Sequence, residues 1–509
     1  MDNGNSEKIT ERMETQMKKI VIIGGGIGGL SAGIYALKAG YKAAIYEKNH
    51  VAGGECMGWN RKGCHIDNCI HWLTGTDSST SVWQVWNTMG AIDESTPYAD
   101  TDKFYSSRLN GQEATLWKDL DRTERELIAL SPEDEAEIRK FIQHVRYAES
   151  CTIPGEKPMD MMKMGDYIKM GKSMANMPKV MKEYGKINLN GLAQRFHSPL
   201  LKKLMTDYLP ANYTAYSFLV SYATMTGGNG NIPIGGSLAM TNRIIERYNS
   251  MGGELYTDTP VKRIIVENGK AKSIELENGE KVMADEVISA VDPSFLFGRL
   301  IDRSYMPKEF SAAYADSGKY PVTSGFQIAY KIDDDFSGED TIFFGCEPIS
   351  IGGRSFERIY IKNYGYDKTF APEGKAVLQT NIPQTDEDFT YWKSLSKEDY
   401  KAKKQELIRE VTDRIVKEFP ELEGRLELLD CWTPMTYERY CNAYHGAYMA
   451  FVTTIGAKQL KIKGVLKGLD NFYMAGQWIM SPGGLPIAAI SGKFAVQRIL
   501  KKEKRDIDI

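Results

Sequence analysis

The chain has no marked excess of charge of either sign. Its 509 residues include 64 lysines and arginines and 67 aspartates and glutamates, a formal net charge of −3 with histidine neutral. Proteins that bind nucleic acids present a basic surface to the phosphate backbone, and this composition supplies no such excess. We therefore exclude nucleic acid as a partner. The remaining balance, 42% hydrophobic and 26% charged residues, is typical of a globular protein.

The sequence also lacks long apolar segments. Residues 1–16 are polar and contain no apolar stretch of signal-peptide length. No run of residues is long and apolar enough to cross a bilayer. We therefore expect a flexible extension over residues 1–16 and a fold that begins at about residue 17. We also expect a protein that is cytoplasmic or, at most, bound to a membrane surface.

Paired cysteine motifs are absent as well. Seven cysteines are an odd number in a chain without an export signal, so a disulfide framework is not expected. Cys56, Cys64 and Cys69 lie near His65 and His71, but their spacing lacks the C-x-x-C pairs of structural zinc sites. We predict no metal site.

A glycine-rich turn follows the first apolar segment of the chain. Residues 19–23, KIVII, are apolar and β-branched, as expected of a buried parallel strand. They lead into G-x-G-x-x-G, whose glycines allow a tight turn, close approach of the backbone to a pyrophosphate, and packing of the next helix on the strand. The predicted cofactor-binding residues of this turn are Gly24, Gly26, Ile27, Gly28 and Gly29.

An acidic residue stands at the end of the next predicted strand. Residues 41–46 read YKAAIY, and Glu47 follows them, about 20 residues after the glycine turn. This spacing is typical of a carboxylate that binds the adenosine ribose, and a carboxylate disfavours the 2′-phosphate of NADP. We predict that Glu47 binds the ribose.

A second pair of glycines comes soon after this acid, in the segment KNHVAGG. The pattern E-x-x-x-x-x-G-G, from Glu47 to Gly53 and Gly54, resembles the extended FAD fingerprint of the amine oxidase and phytoene desaturase superfamily. The resemblance implies FAD rather than NAD, with Lys48, Gly53 and Gly54 among the residues that bind it. A basic residue often follows the glycine pair in that superfamily, whereas this chain has Glu55.

Near the C-terminus, a predicted strand over residues 471–475 leads to a loop with two glycines between two prolines, PGGLP, and then to a helix from about residue 487. This segment resembles the terminal flavin segment of phytoene desaturases, carotenoid isomerases and retinol saturases. A helix N-terminus, with its unpaired N–H groups and positive dipole, suits the anionic reduced flavin. The loop has no cysteine through which some amine oxidases attach FAD, so we expect non-covalent FAD. The predicted contacts are Gly476, Gln477, Gly484, Leu485, Pro486 and Ile487.

A third segment completes the predicted cofactor domain. PIGGS, from residue 233, precedes a predicted helix to about residue 250, and a strand, a β-hairpin and a final strand follow. This order resembles the second FAD-binding block of the same family, in which the residue matching Val261 lends its backbone to the adenine. We therefore predict an α/β fold: a discontinuous Rossmann-type FAD-binding domain with an inserted α+β substrate-binding domain. The first comprises residues 17–100, 230–305 and 455–503, and the second residues 101–229 and 306–454.

Shorter segments extend the resemblance over nearly the whole chain. Asp67 to Trp72 read DNCIHW where retinol saturases show D-x-G-I-H-Y, and Cys69 takes the place of the glycine. The resemblance places His71 near the flavin ring, which makes this histidine the candidate for moving a proton beside the hydride transfer. A histidine packed in the core with satisfied hydrogen bonds is the alternative.

The resemblance implies an FAD-dependent oxidoreductase acting on C–C or C=C bonds of a hydrophobic polyene, isoprenoid or lipid-like substrate. Desaturation, saturation and isomerisation all stay open. No second G-x-G-x-x-G follows a strand, so a dedicated NAD(P)H domain is not expected and the electron donor or acceptor is unknown. The alternatives are a flavin amine oxidase and a non-catalytic, FAD-stabilised protein that binds isoprenoids.

Methionines and lysines are interleaved through residues 158–186. Methionine side chains adapt to irregular apolar ligands, and lysines beside an apolar face suit anionic head groups. The segment predicts either a pliable entrance for a lipid, in peripheral contact with a membrane, or methionine-rich core helices with solvated lysines.

Overall fold

A computed structural model describes residues 17–336, 341–452 and 454–509, so the predicted extension over residues 1–16 lies outside the described residues. The strands are β1 (Lys19–Ile23), β2 (Lys42–Tyr46), β3 (Gly58–Arg61), β4 (Cys64–Asp67), β5 (Leu73–Thr74), β6 (Lys103–Leu109), β7 (Gln112–Trp117), β8 (Gly230–Asn231), β9 (Glu254–Tyr256), β10 (Val261–Glu267), β11 (Lys270–Leu276), β12 (Lys281–Met283), β13 (Glu286–Ser289), β14 (Ser324–Asp333), β15 (Thr341–Ile351), β16 (Arg354–Asn363), β17 (Lys375–Gln384), β18 (Glu427–Trp432) and β19 (Phe472–Met474). The α-helices are α1 (Ile27–Lys38), α2 (Ser81–Met89), α3 (Leu120–Leu130), α4 (Glu135–Ala148), α5 (Met164–Ser173), α6 (Met177–Tyr184), α7 (Leu189–Ala193), α8 (Pro199–Thr206), α9 (Ala215–Thr226), α10 (Gly236–Ser250), α11 (Pro293–Phe295), α12 (Lys308–Tyr314), α13 (Asp386–Ser394), α14 (Lys397–Glu418), α15 (Pro434–Cys441) and α16 (Leu485–Lys502).

A five-stranded parallel sheet holds the glycine turn. Its strand order is β19-β13-β1-β2-β9, and β1 pairs in parallel with both β13 and β2. Residues 20–23 are buried because β1 is central in the sheet and both of its faces are covered. With α1 connecting β1 to β2, this arrangement confirms the predicted Rossmann-type α/β fold.

The elements predicted around the glycine segments are present, with small shifts at their ends. Helix α16 begins at Leu485, before the predicted start near residue 487, because Pro486 is compatible with the first helical turn, where no N–H is needed. The last strand, β19, is shorter than the predicted range 471–475. Helix α10 and the hairpin of β10 and β11 lie where the sequence predicts them.

A mixed seven-stranded sheet lies in the ranges predicted for the substrate-binding domain. Its order is β18-β14-β17-β16-β15-β6-β7, with antiparallel pairs except for the parallel pairing of β15 with β6. One face packs against α14 in an apolar cluster that includes Ile328, Ile361, Leu378 and Val411. Since side chains alternate along a strand, the other face of β16 presents Tyr360 and Lys362.

A layer of helices packs on β6 and β7. Residues of α3, α4, α6, α7, α8 and α9 form one apolar cluster with these strands, and Phe141, Phe218 and Tyr222 lie at its centre. Apolar residues recur at helical spacing along α3 and α4. Each helix therefore has one apolar stripe, which is buried, and one polar face. The boundaries between the two predicted domains stay a prediction.

The described residues contain neither a membrane-spanning helix nor a metal-binding cluster. None of the helices within 17–336, 341–452 and 454–509 is both long and apolar enough to span a bilayer. The same ranges contain no cluster of three or more histidine, cysteine, aspartate or glutamate side chains arranged to hold a metal ion.

Candidate functional site

Close main-chain approaches shape the turn between β1 and α1. Gly24 has a φ of +97°, and its N–H donates to the Tyr46 carbonyl over 2.9 Å. A Cβ on Gly29 would lie 2.0 Å from the Gly24 carbonyl oxygen, and a Cβ on Gly28 would lie 2.8 Å from the Gly476 nitrogen. Side chains at positions 28 and 29 are therefore incompatible with this packing of α1 on the sheet.

The start of α1 is open to a ligand. Gly26 precedes the helix and Ile27 is its first residue, and no side chain in the described part of the chain caps this terminus. The first N–H groups of a helix have no intrahelical acceptor and carry a partial positive charge. This terminus is suited to a phosphate group.

The second glycine pair lies directly against this turn. The Gly53 N–H donates to the Gly25 carbonyl over 2.8 Å, and a Cβ on Gly54 would lie 3.2 Å from the Gly26 Cα. Gly53 and Gly54 have φ values of +135° and +62°, which L-residues with side chains rarely adopt. The two glycine segments thus form one groove walled by backbone.

Glu47 is buried at the end of β2 and joins the segments around this groove. Its Oε2 accepts the Gly25 N–H over 2.8 Å, and its Oε1 accepts the Asn49 N–H over 2.9 Å. Its main-chain carbonyl accepts the Thr259 N–H over 2.8 Å, which holds the segment leading to Val261 beside β2. The carboxylate therefore lies next to the turn and near the strand predicted to contact adenine, and its contact with the ribose stays a prediction.

Lys48 is directed away from the glycine turn. Its ammonium donates to the Arg439 carbonyl over 2.8 Å and to Asn442 Oδ1 over 2.9 Å, at the end of α15. Burial lowers its pKa. These hydrogen bonds account for the position of the Lys48 side chain without a cofactor. Its contact with the cofactor stays a prediction.

Gln477 links the segment after the second glycine pair to the loop before α16. Its Nε2 donates to Glu55 Oε2 over 3.0 Å, and its Oε1 accepts the Gly484 N–H over 3.1 Å. Gly476, just before it, donates its N–H to Ser491 Oγ over 2.8 Å. The loop before α16 is therefore fixed both to the helix and to the segment after the glycine pair.

The first turn of α16 consists of Leu485, Pro486 and Ile487. Gly484 precedes it with a φ of +84°, and no side chain of the described residues caps this helix. Pro486 has no N–H to leave unpaired. As at α1, the N-terminus of α16 creates a positive potential in the space in front of the helix.

Glu55, which stands where the family often has a basic residue, is half-buried. Burial, with the nearby Asp292 carboxylate, raises the pKa of Glu55 to about 8, and the hydrogen bond from Gln477 opposes this rise. Glu55 is therefore mainly protonated at neutral pH. A protonated carboxylic acid can donate a hydrogen bond to an anion instead of repelling it, so this residue is compatible with a phosphate-binding groove.

Asp67 fixes the segment that carries the predicted catalytic histidine. Its Oδ1 accepts the N–H groups of Cys69 and Ile70 over 2.9 and 3.1 Å. Its Oδ2 accepts the Ser237 N–H over 2.6 Å at the start of α10. The segment from Asp67 to His71 is thus held against the second FAD-binding block that the sequence predicts.

His71 combines surroundings rich in protein atoms with an accessible side chain. Burial, with the positive charge of Lys362, lowers its pKa to about 3, yet the ring keeps a large accessible surface. Both observations hold if protein surrounds the ring while one side of it faces a cavity. The His71 Nδ1 lies 3.3 Å from the Lys362 Nζ. The ring is neutral, and Nδ1 is positioned to accept from the ammonium, which leaves the ring proton on Nε2.

A row of contacting aromatic side chains runs from Trp72, next to His71, through Tyr208 and Phe343 to Tyr360, on the same strand as Lys362. The Trp72 and Tyr208 ring centroids are 5.9 Å apart, and those of Phe343 and Tyr360 are 4.7 Å apart. The lysine ammonium lies 4.8 Å from the centre of the Tyr364 ring. Burial raises the pKa values of Tyr208 and Tyr360, so their hydroxyls stay protonated. The cavity is therefore apolar along its walls and polar at a few points.

Sequence reasoning missed Lys362 and the tyrosines around it. A signal was present: residues 359–364 read IYIKNY, in which the isoleucines alternate with Tyr360 and Lys362. Alternation of this kind predicts a strand with one apolar face and one polar or amphipathic face. It does not predict that the polar face would meet His71, which lies far away in sequence.

The groove and the cavity together fit a flavin nucleotide. The glycine segments leave space that any Cβ would fill, two uncapped helix termini offer N–H groups, and Glu55 is protonated. These features provide neutral or positive surroundings for the phosphates and for a reduced flavin ring. The predicted site residues flank this groove, but their contacts with a cofactor stay predictions.

Comparisons with known proteins agree with the fold and with the predicted family. The sequence profile of the family described as "Flavin containing amine oxidoreductase" matches residues 27–500. Chloroplastic prolycopene isomerase from Daucus carota is 24% identical over 522 residues, covering 94% of this chain and 79% of the relative. Phytoene desaturase (neurosporene-forming) from Rhodobacter capsulatus is 24% identical over 510 residues, covering 95% and 94%. Cyclohexylamine oxidase from Brevibacterium oxydans superposes with a TM-score of 0.59 at 14% identity, covering 96% of this chain and 100% of that structure.

These findings confirm the predicted superfamily and a flavin-dependent oxidoreductase. The solved structure, at 14% identity, supports the fold alone. The match to the family extends from Ile27, the first residue of α1, to Leu500 in the last turn of α16, and so includes Gly53, Gly54 and nearly all of the terminal helix. The chain belongs to the flavin containing amine oxidoreductase family.

Proposed function

We propose that this chain binds FAD non-covalently and acts on C–C or C=C bonds of a hydrophobic polyene, isoprenoid or lipid-like substrate. The observation that carries the proposal is the row of contacting aromatic side chains that runs from Trp72, next to His71, through Tyr208 and Phe343 to Tyr360. A long apolar molecule requires such walls, which exclude water from the reacting carbon. The relatives named as a prolycopene isomerase and a phytoene desaturase support this substrate class.

The groove residues have distinct tasks in this proposal. The glycine turn and the start of α1 bind the pyrophosphate, and Glu47 binds the ribose hydroxyls. Gln477 and the first turn of α16 contact the flavin ring. The described residues 476–487 contain no cysteine, which supports non-covalent attachment.

The chain's own side chains position the substrate and move the proton. Bound flavin supplies the site that accepts or donates hydride. Lys362 orients His71 so that its Nε2–H faces away from the lysine. The ring can pass on that proton while its Nδ1 takes one from the Lys362 ammonium, which leaves a neutral imidazole and a neutral amine, and the reverse transfer returns it. The aromatic walls hold the substrate chain. The direction, whether desaturation, saturation or isomerisation, is a matter for experiment.

A flavin amine oxidase is the competing function. The ammonium of Lys362, 3.3 Å from His71 Nδ1, places positive charge in the cavity. Positive charge disfavours a protonated amine nearby. A lysine and aromatic rings near the flavin are also compatible with an amine oxidase, so the relatives named for polyene substrates are what support the polyene over the amine.

The test uses the purified, FAD-loaded protein, oxidised or reduced with dithionite under anaerobic conditions. Each form is incubated with phytoene, prolycopene or retinol. The products are then separated, and the mass of each is measured by mass spectrometry. Loss of two hydrogens identifies a desaturase, gain of two a saturase, and unchanged mass with a shifted absorption band an isomerase. Hydrogen peroxide produced from amines, with all polyenes unchanged, would overturn the proposal in favour of an amine oxidase.

We further propose that residues 158–186 contact a membrane surface. Helix α5 has no buried residue, and Met164 and Ile168, one helical turn apart, are 76% and 56% exposed. Lysines flank this apolar stripe, as expected of a helix that lies on an anionic bilayer. Met161 and Met177 are buried, so the rest of the segment anchors α5 to the protein.

A further inference from the structure

Two cysteines that no sequence motif links lie opposite each other beside the second glycine pair. Antiparallel pairing of β3 with β4, and a 3.1 Å bond from the Asn68 N–H to the Met57 carbonyl, bring the two segments together. The same register, continued by two residues, places Cys56 opposite Cys69, and directly opposed residues of antiparallel strands have Cβ atoms about 4.5–5.5 Å apart. The two thiols are therefore close enough to interact chemically.

One serine and one aspartate hold both cysteines. The Cys56 Sγ donates to the Ser237 carbonyl over 3.9 Å. The Ser237 hydroxyl donates to Asp67 Oδ1 over 2.7 Å, and the same oxygen accepts the Cys69 N–H over 2.9 Å. The relative position of the two thiols is thus fixed by a short, buried chain of bonds.

The pair lies between the cofactor groove and the substrate cavity. Cys56 is buried and follows Glu55, which bonds to Gln477 before α16. Cys69 is partly exposed and lies on the segment that leads to His71. A flavin that occupies the groove and reaches the cavity would pass beside these thiols.

The surroundings keep Cys69 in the thiol form. Its hydrogen bond with Cys56, its burial and the negative groups Asp67 and Glu55 all raise its pKa well above the ordinary value. A protonated thiol reacts slowly with dissolved oxidants, since the thiolate is the reactive form. An efficient electron acceptor for this pair must therefore lie in the site itself.

We propose that Cys56 and Cys69 are a redox-active dithiol that exchanges two electrons with the flavin bound in this site. The proposal rests on the proposed flavin site and not on the polyene substrate. Oxidation of the pair breaks two S–H bonds, forms one S–S bond, and releases two electrons and two protons. Oxidised flavin takes up the same two electrons and two protons on full reduction, so the exchange balances without another reactant. When the flavin and the dithiol are both reduced, the FAD-loaded protein therefore stores twice as many electrons as its flavin alone can store.

The experiment is an anaerobic dithionite titration of the FAD-loaded protein after prolonged oxidation with excess diamide, which the slow reaction of protonated thiols requires, and after desalting. We expect the unaltered protein to consume about twice as much dithionite per flavin as Cys56→Ala or Cys69→Ala. Cys346→Ala is the matched control, because this partly exposed cysteine lies on β15. It should keep the stoichiometry of the unaltered protein. Two separate variants keep the test valid if one of them fails to fold.

Peptide mapping gives a readout that does not depend on activity. A disulfide-linked pair of peptides containing Cys56 and Cys69 is expected after oxidation and should disappear after dithionite. Equal dithionite consumption by all forms, with no linked peptides, would overturn the dithiol while the flavin spectrum persists. A protein that shows no flavin spectrum after reconstitution would instead overturn the proposed function, and the dithiol with it.

Discussion

The Nζ of Lys362 lies 3.3 Å from the Nδ1 of His71, although the two residues are on different elements and far apart in sequence. Burial and this positive charge together keep the imidazole neutral, with a pKa of about 3. A neutral ring whose Nδ1 faces an ammonium carries its proton on Nε2. Lys362 is therefore a positioning residue that selects the form in which His71 meets the cavity.

Replacement of Lys362 with methionine should raise the pKa of His71 by roughly 1 pH unit, because one of the two causes of its lowering is removed and burial remains. The pKa is measured by NMR titration of the histidine ring protons, with His71→Gln to assign the signal. Lys368→Met is the matched control, since Lys368 is on the surface and bonds to Asp334. An unchanged titration of His71 in the Lys362 variant would contradict the positioning role.

Alanine at position 29 should abolish or strongly weaken flavin binding. Its Cβ would lie 2.0 Å from the Gly24 carbonyl oxygen, so α1 would have to move away from the turn. We expect the Kd for FAD to rise at least about tenfold, which corresponds to roughly 1.4 kcal/mol. Fluorescence titration of the apoprotein measures it. Gly171→Ala in α5, where no atom lies within 4 Å of the added Cβ, should leave the affinity unchanged.

Glu55 should make the apoprotein less stable as the pH rises. Its pKa is about 8 when folded, against an ordinary value of 4.5, so the folded state binds more protons than the unfolded state between these values. The free energy of unfolding therefore falls as the pH rises through this window. In Glu55→Gln this fall should be smaller, with a gain of roughly 1–2 kcal/mol at pH 9, allowing for partial access of water.

Urea unfolding at pH 6 and pH 9 measures the Glu55 effect. Glu427→Gln is the control, because salt bridges to Lys331 and Lys62 lower the pKa of this exposed carboxylate. Its removal should not reduce the loss of stability at high pH. Equal pH dependence in the Glu55→Gln and unaltered proteins would show that Glu55 ionises normally.

The sequence predicted the parts of the site that depend on local backbone geometry. The glycine turn, Glu47 and the loop before α16 have fixed spacings, because a strand, a turn and a helix must follow each other within a few residues. The start of α16 was misplaced only slightly, since Pro486 is acceptable both before and within a first turn.

The parts that depend on distant pairing were not predictable. Lys362 meets His71 because β16 lies in a sheet whose polar face turns toward the segment after β4. Cys56 meets Cys69 through the pairing of β3 with β4, which no cysteine spacing announces. A single sequence gives the alternation within a strand but not which strand faces which segment.

The exposed stripe of α5 should determine whether the protein binds membranes. Ile168→Glu places a negative charge among Met164 and the flanking lysines, where it would oppose insertion into an anionic surface. We expect binding to vesicles of phosphatidylglycerol and phosphatidylcholine, measured by co-sedimentation, to fall at least about fivefold, or roughly 1 kcal/mol. Met283→Glu is the matched control, because Met283 is 66% exposed on β12, away from α5. If both variants bind vesicles as well as the unaltered protein does, α5 is a solvated surface helix and residues 158–186 do not contact a membrane. If the Ile168 variant alone loses binding, while its flavin spectrum is unchanged, the methionines of α5 serve the lipid surface and not the cofactor site.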